Sequence, residues 1–224
     1  MQSTLGEFQE TKSDQPFALQ NSKLLKVSLD QITIQAKAGA MVAYQGDVSF
    51  EHAGSGGMSR MLKKAVSGEG TTLMKMTGTG EVFLADTAQD IHLLYLENDA
   101  ITVNGSNLLA FDAGIDWDIK RVEGVSGMMG GGLFNMALHG TGWVAILSDG
   151  PPVLLDVGSA PTFADAAAAI TWSSGVQTGI KTDFKMKSLV GRSSGESLQM
   201  SFSGEGWLLV QPSEGRVIPT LNSS

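Results

Sequence analysis

The sequence predicts an all-β protein in which three tandem, pseudo-symmetric repeats of β-sandwich or double-stranded-β-helix-like form make one compact unit. Three observations predict this fold class. A Gly-x-Gly pair ahead of an apolar segment recurs at offsets of 62 and 64 residues, beginning at Gly78, Gly140 and Gly204. Upstream, an apolar segment ending in an aromatic residue recurs at Tyr44, Phe111 and Trp172. In most of these segments apolar and polar residues alternate, which is the period of a half-buried strand.

The three copies align in the same order, but not equally well. The first two share a register without a gap from residue 27 to residue 50. The third departs at Thr178, where the others have Phe50 and Trp117. We expect the recurring aromatic and the apolar residues that follow it to fill the core of each repeat. The Gly-x-Gly pairs fit turns, bulges or close backbone approaches, where a positive φ is needed.

The repeats predict the domain organisation. It consists of a polar N-terminal extension at 1–22, repeats at 23–88, 89–150 and 151–213, and a C-terminal tail at 214–224. Residues 58–66 have apolar side chains at helical spacing inside the first repeat. The Ala-rich stretch 163–170 is assigned to strands because the repeat register places it there.

Composition and charge narrow the function class. The chain of 224 residues has no cysteine, so disulfide and thiolate chemistry are excluded. Its net charge of −8 disfavours nucleic-acid binding, which depends on Lys and Arg. The first twenty residues have no signal or transit pattern, and no apolar run reaches the roughly 20 residues of a transmembrane helix. The sequence therefore predicts a soluble, cytoplasmic protein.

The catalytic and metal-binding patterns are weak. The chain has three histidines, His52, His92 and His139. Their spacing forms no His-x-His or His-x₃-His ligand pair. A Gly-x-Ser-x-Gly run at 191–195 has the spelling of a nucleophile elbow, but no histidine follows it. Three aspartates lie around Trp117: Asp112, Asp116 and Asp118. A cation site and a solvated face both fit them. We expect no catalytic residue, cofactor or metal, and no enzyme.

Basic residues concentrate between the two recurring segments of each copy. Stretches 51–69, 118–132 and 179–196 hold nine of the fifteen basic residues and six acidic ones. The predicted interaction face consists of Arg60, Lys63, Lys64, Lys120, Arg121, Lys185, Lys187, Arg192, Met58, Met61, Met128 and Met129. Basic and flexible apolar side chains together suit an anionic lipid surface or a partner protein. Ordinary solvated loops whose methionines cap the core are the alternative.

Several runs of this sequence resemble a known family. They are GAMVAYQGDVSFE at 39–51, SGEG at 67–70, GTGEVFLAD at 78–86 and LLAFD at 108–112. The chain resembles the "altered inheritance of mitochondria" twenty-four family over about residues 23–213. The resemblance implies three fused repeats of the fold of the tryptophan RNA-binding attenuation protein, and it carries no catalytic residues. It links a fungal relative to the mitochondrial inner membrane, but this chain shows no targeting segment.

The expected function is a non-enzymatic scaffold or interaction protein. Its partner would be a protein or an anionic membrane surface contacted peripherally, with self-association into a homo-oligomer as a further possibility. The alternative is a small-molecule-binding protein or enzyme with a pocket between the repeats.

Overall fold

Strands dominate the part of the chain that the computed structural model describes, which is residues 3–52, 73–121, 134–180 and 199–213. These residues contain fifteen strands and two short 3-10 helices, and the strands pair antiparallel. The predicted all-β class is therefore confirmed. The chain divides into two compact units, Met1–Ser148 and Asp149–Ser224, each with its own set of paired strands.

The described residues of unit 1 form nine strands and both 3-10 helices. The strands are β1 (Phe17–Asn21), β2 (Leu24–Ser28), β3 (Ile34–Lys37), β4 (Met41–His52), β5 (Leu73–Leu84), β6 (Asp90–Asn104), β7 (Leu108–Asp112), β8 (Asp116–Arg121) and β9 (Phe134–Ser148). The helices are η1 (Leu5–Phe8) and η2 (Gly105–Asn107). Neighbouring strands pair in the order β1-β2-β5-β3-β7-β9-β6, while β4 also pairs with β5 and β8 with β9.

Two long strands organise unit 1. β5 pairs with β2, β3 and β4, and β9 pairs with β6, β7 and β8. Each carries a Gly-x-Gly pair in its interior, so the segments on the two sides of the pair form one continuous strand. The glycines let the strand pass its neighbour closely: a Cβ at Gly80 would lie 2.1 Å from the Gln45 carbonyl oxygen. The predicted need for positive φ is confirmed, with values of +129° at Gly78 and +157° at Gly80.

The core of unit 1 lies beneath β2, β3 and β5. Leu25 and Val27 of β2, Ile34 of β3, and Val82 and Leu84 of β5 are completely buried. These residues alternate along their strands, as the period of two predicts. Burying each such side chain contributes about 1.5–3 kcal/mol.

The part of unit 2 that the structure describes has six shorter strands. They are β10 (Val153–Asp156), β11 (Thr162–Asp165), β12 (Ala169–Ser173), β13 (Val176–Ile180), β14 (Gln199–Gly204) and β15 (Trp207–Val210). β15 pairs with β12 on one side and β10 on the other, and β14 lies between β11 and β13. The Ala-rich stretch forms a strand, a turn at 166–168 and a second strand, as expected. The segment with helical spacing lies outside the described residues.

Equivalent pairings recur in the three predicted copies. The residue four positions after the first glycine of each pair is opposite the recurring aromatic: Tyr44 with Val82, Phe111 with Val144, and Trp172 with Leu208. The residue two positions before that glycine has equivalent partners too: Phe50 with Met76, Trp117 with Leu138, and Thr178 with Phe202. The tandem repeat stays a prediction, and these are the registers that it requires.

Candidate interaction surfaces

Of the predicted basic face, the structure describes only Lys120 and Arg121. Lys120 lies near the end of β8, opposite Asn135 of β9, and is exposed. Arg121 ends the strand, opposite Phe134. The other members of the face lie outside the described residues: Arg60, Lys63, Lys64, Lys185, Lys187, Arg192, Met58, Met61, Met128 and Met129. The predicted face as a whole therefore stays a prediction.

The strands that flank these basic stretches do form a common arrangement. β4 pairs with β5 up to His52 and Met74, β8 with β9 up to Arg121 and Phe134, and β13 with β14 up to Ile180 and Met200. In each case the chain leaves one antiparallel strand, runs through a basic stretch and returns on its partner. Each basic stretch therefore begins in one strand of an antiparallel pair and lies in the sequence between the two strands, which a ladder of hydrogen bonds holds together.

Lys26 is a buried cation on the outer side of β2. Its side chain is 8% exposed, and its Nζ lies 2.8 Å from Glu81 Oε1 of β5 and 3.6 Å from Glu10 Oε2. A buried ammonium group is stable only when anions and hydrogen bonds replace its water shell. Glu81 and Glu10 supply that compensation, so Lys26 is a structural group that holds the N-terminal extension against the sheet.

Glu10 is the anchor on the extension side. The Gln45 side-chain amide donates a hydrogen bond to Glu10 Oε1. A hydrogen bond with the Glu81 carboxyl is the main cause that lowers the pKa of Glu10, and the Gln45 amide and the Lys26 ammonium group lower it further. Gln20 of β1 adds a second attachment, because its amide donates to the Gln9 carbonyl at 2.9 Å. The predicted polar extension is thus bound along β1 and β4.

Asp112 has a structural role, because its carboxylate accepts a hydrogen bond from the backbone. Its Oδ2 accepts a hydrogen bond of 2.6 Å from the Trp143 backbone N–H. The acceptor fits because residue 142 is glycine, whose Cβ would lie 2.7 Å from that oxygen. In unit 2, Ser173 Oγ accepts from Trp207 N at 3.1 Å in the equivalent position. Burial raises the pKa of Asp112, while the Trp143 hydrogen bond opposes that shift.

His92, His139 and the aspartates of β8 do not form one common site, although Asp116 lies directly opposite His139 in the β8–β9 ladder. His92 Nε2 lies 2.7 Å from Ser148 Oγ, and burial lowers the pKa of His92 against the opposing charge of Asp90. His139 is exposed on β9, and Asp116 and Asp118 are exposed on β8. Among residues 3–52, 73–121, 134–180 and 199–213, no group of three or more His, Cys, Asp or Glu could hold a metal ion.

Exposed apolar side chains mark two sheet edges. On β4, Val42 is 59% and Tyr44 49% exposed. On β10, Val153 is 53% and Leu154 62% exposed. The sequence interpretation placed Tyr44 in the core because it aligns with Phe111, which is completely buried. That placement is wrong. Phe111 lies on β7, which has β3 on one side and β9 on the other, whereas β4 pairs only with β5 in the described residues.

The described part of the chain contains no helix of the length and hydropathy needed to cross a membrane.

Comparison with known proteins gives a family and a fold. The model of the family described as "Mitochondrial biogenesis AIM24" matches residues 17–213. A crystal structure of a Streptococcus pyogenes protein is similar to this one, with a TM-score of 0.70 and 24% sequence identity. The match covers 88% of this chain and 92% of the streptococcal chain, and it establishes a shared fold. A search of curated proteins gives no match.

Proposed function

This chain belongs to the mitochondrial biogenesis AIM24 family, and on that premise we propose that it is a non-enzymatic scaffold that contacts an anionic partner surface through its basic hairpin connections. The family description names a cellular process and no reaction. The cytoplasmic location expected from the sequence stays a prediction.

One observation carries this proposal. Three pairs of antiparallel strands, the stems β4–β5, β8–β9 and β13–β14, each flank a basic stretch that begins in the last residues of the first strand. The three stretches together have a net charge of +3 in a chain of net charge −8. A positive charge presented on separate stems of an acidic molecule attracts an anionic surface locally while the rest of the molecule repels it. Lys120 is the described basic side chain at such a position.

Reversing the charge at the end of the β8–β9 stem tests the proposal. The variant Lys120→Glu with Arg121→Glu should lose binding, and Lys12→Glu with Lys23→Glu is the control because it makes the same change in net charge away from the stem ends. Two assays separate the two sources of negative charge. Co-sedimentation with phosphatidylcholine vesicles, with and without phosphatidylserine, reports a lipid surface. Affinity capture from the native cell reports a protein partner.

The expected result is at least a several-fold loss in one assay for the stem variant and wild-type binding for the control. Binding to the lipid alone or to a protein alone would identify the partner class. Equal binding by both variants in both assays would overturn the proposal. Turnover of a small molecule by the purified chain would favour the alternative expectation of a pocket between repeats.

A further inference from the structure

β10 is an edge strand of unit 2. In the described residues it pairs with β15 alone, from Val153 opposite Val210 to Asp156 opposite Trp207. Val153 and Leu154 are both more than half exposed, although neighbouring residues of a strand point to opposite faces. Both faces of this edge are therefore apolar and in contact with water. An edge of this kind is a template for pairing with another strand.

Unit 1 contains the counterpart of this strand with its edge covered. β2 and β10 are equivalent because Val27 lies opposite Val82 and Leu155 opposite Leu208, each four residues after the first glycine of a Gly-x-Gly pair. The outer edge of β2 pairs antiparallel with β1. Under that cover Leu25 and Val27 are completely buried. β10 has apolar residues at the equivalents of Leu25 and Val27, has Leu154 where β2 has Lys26, and lacks such a cover among the described residues.

We propose that the cover of β10 is the β10 strand of a second copy of this chain, paired antiparallel about a twofold axis. This inference goes beyond the scaffold function and does not depend on it. With the axis at Leu154, that residue lies opposite its own copy and Val153 lies opposite Leu155. Residues 153–155 carry no charge, so the pairing places no like charges opposite each other. The same patch serves both copies, as a twofold interface requires.

The small size of this contact predicts a weak dimer. Pro152 precedes the strand and has no N–H to extend the ladder, so the pairing is confined to a few residues. Such a patch is far smaller than the roughly 1,200 Å² of a typical specific interface. We expect a dissociation constant on the order of 100 µM. Each copy carries a net charge of −8, and salt should therefore strengthen the dimer by screening their repulsion.

A single introduced thiol tests the register. The chain has no cysteine, so Leu154→Cys places one thiol at the twofold axis, where opposite Cβ atoms are about 4.5–5.5 Å apart. This spacing is close to that of a disulfide. Val42→Cys is the matched control, because Val42 is 59% exposed and Leu154 62% exposed. Mild oxidation should convert Leu154→Cys to a covalent dimer many-fold faster than Val42→Cys.

A second variant tests the association without a crosslink. Leu154→Lys puts two positive charges opposite each other at the axis, and their repulsion should abolish the rise in mass with concentration that light scattering measures for the wild type. Val42→Lys should leave that rise unchanged, and circular dichroism checks that both variants are folded. Equal crosslinking of the two thiol variants, or a wild type that stays monomeric well above 100 µM in high salt, would overturn the proposal.

Discussion

Gly78→Ala tests how closely β4 and β5 cross in unit 1. The new Cβ would lie 2.1 Å from the Asp47 carbonyl oxygen, at a φ of +129°. The backbone must move by about 1 Å to relieve this contact, because Cβ atoms are hardly ever closer than about 3 Å to a neighbour. The unfavourable φ costs about 1–3 kcal/mol and the overpacking about 1–3 kcal/mol more. We expect the free energy of unfolding to fall by about 4 kcal/mol, out of a typical 5–15 kcal/mol.

Two control variants separate these two costs. Gly39 has a φ of +88° but open space around its Cβ position, so Gly39→Ala should cost only about 1 kcal/mol. Gly114 has open space and no positive φ, so Gly114→Ala should be neutral or slightly stabilising. Urea denaturation measures all three, and Gly78→Ala should shift the midpoint by about 1.5–2 M. If Gly78→Ala costs no more than Gly39→Ala, the close crossing of the two strands is not what requires glycine.

Three further variants test the polar contacts of unit 1. Lys26→Met leaves the Glu81 carboxylate without its cation, and should lower the free energy of unfolding by about 1–3 kcal/mol; adding Glu81→Gln should restore part of that loss. Asp112→Asn keeps an acceptor for Trp143 N–H and removes a charge that burial disfavours. The pKa of Asp112 is raised in the folded state, so the wild type should gain stability relative to this variant as the pH falls through that raised pKa towards 3.8, measured by urea midpoints across the pH series. The pKa of Glu10 is lowered, so its contribution is present above its ordinary value and is lost as the pH falls; Glu10→Gln should therefore speed hydrogen exchange in residues 9–12 at neutral pH, with little further effect under acidic conditions.

The repeated glycines and the alternating core could be predicted because they depend on local sequence. A Gly-x-Gly pair needs positive φ wherever it occurs in this fold, and the buried Val82 and Leu84 follow the period of two. The register between Tyr44 and Val82 follows from the offsets between copies. These features depend on few residues, and those residues recur.

The environment of each side chain could not be predicted in the same way. Tyr44 and Phe111 occupy equivalent positions, but one is half exposed and the other buried, because only β7 has β3 beside it. The burial of Lys26 depends on Glu10, which lies in an extension outside the repeats. Asp112 was grouped with nearby aspartates, while its actual partner is a backbone amide 31 residues away. In all three cases, contacts between segments that are far apart in the sequence determine the environment of the side chain.

The placement of β5 at the centre of three pairings has a consequence for synthesis of the chain. β2, β3 and β4 all pair with β5, and Leu84, its last residue, is added 56 residues after Ser28, the last residue of β2. At about 5–20 residues per second, the ribosome takes roughly 3–11 s to add this stretch. During that time Leu25 and Val27 have β1 on one side but lack their partners on β5. The first half of unit 1 therefore folds late and all together, and the nascent chain exposes the apolar residues of β2 for seconds before β5, the strand that completes their burial, has been made.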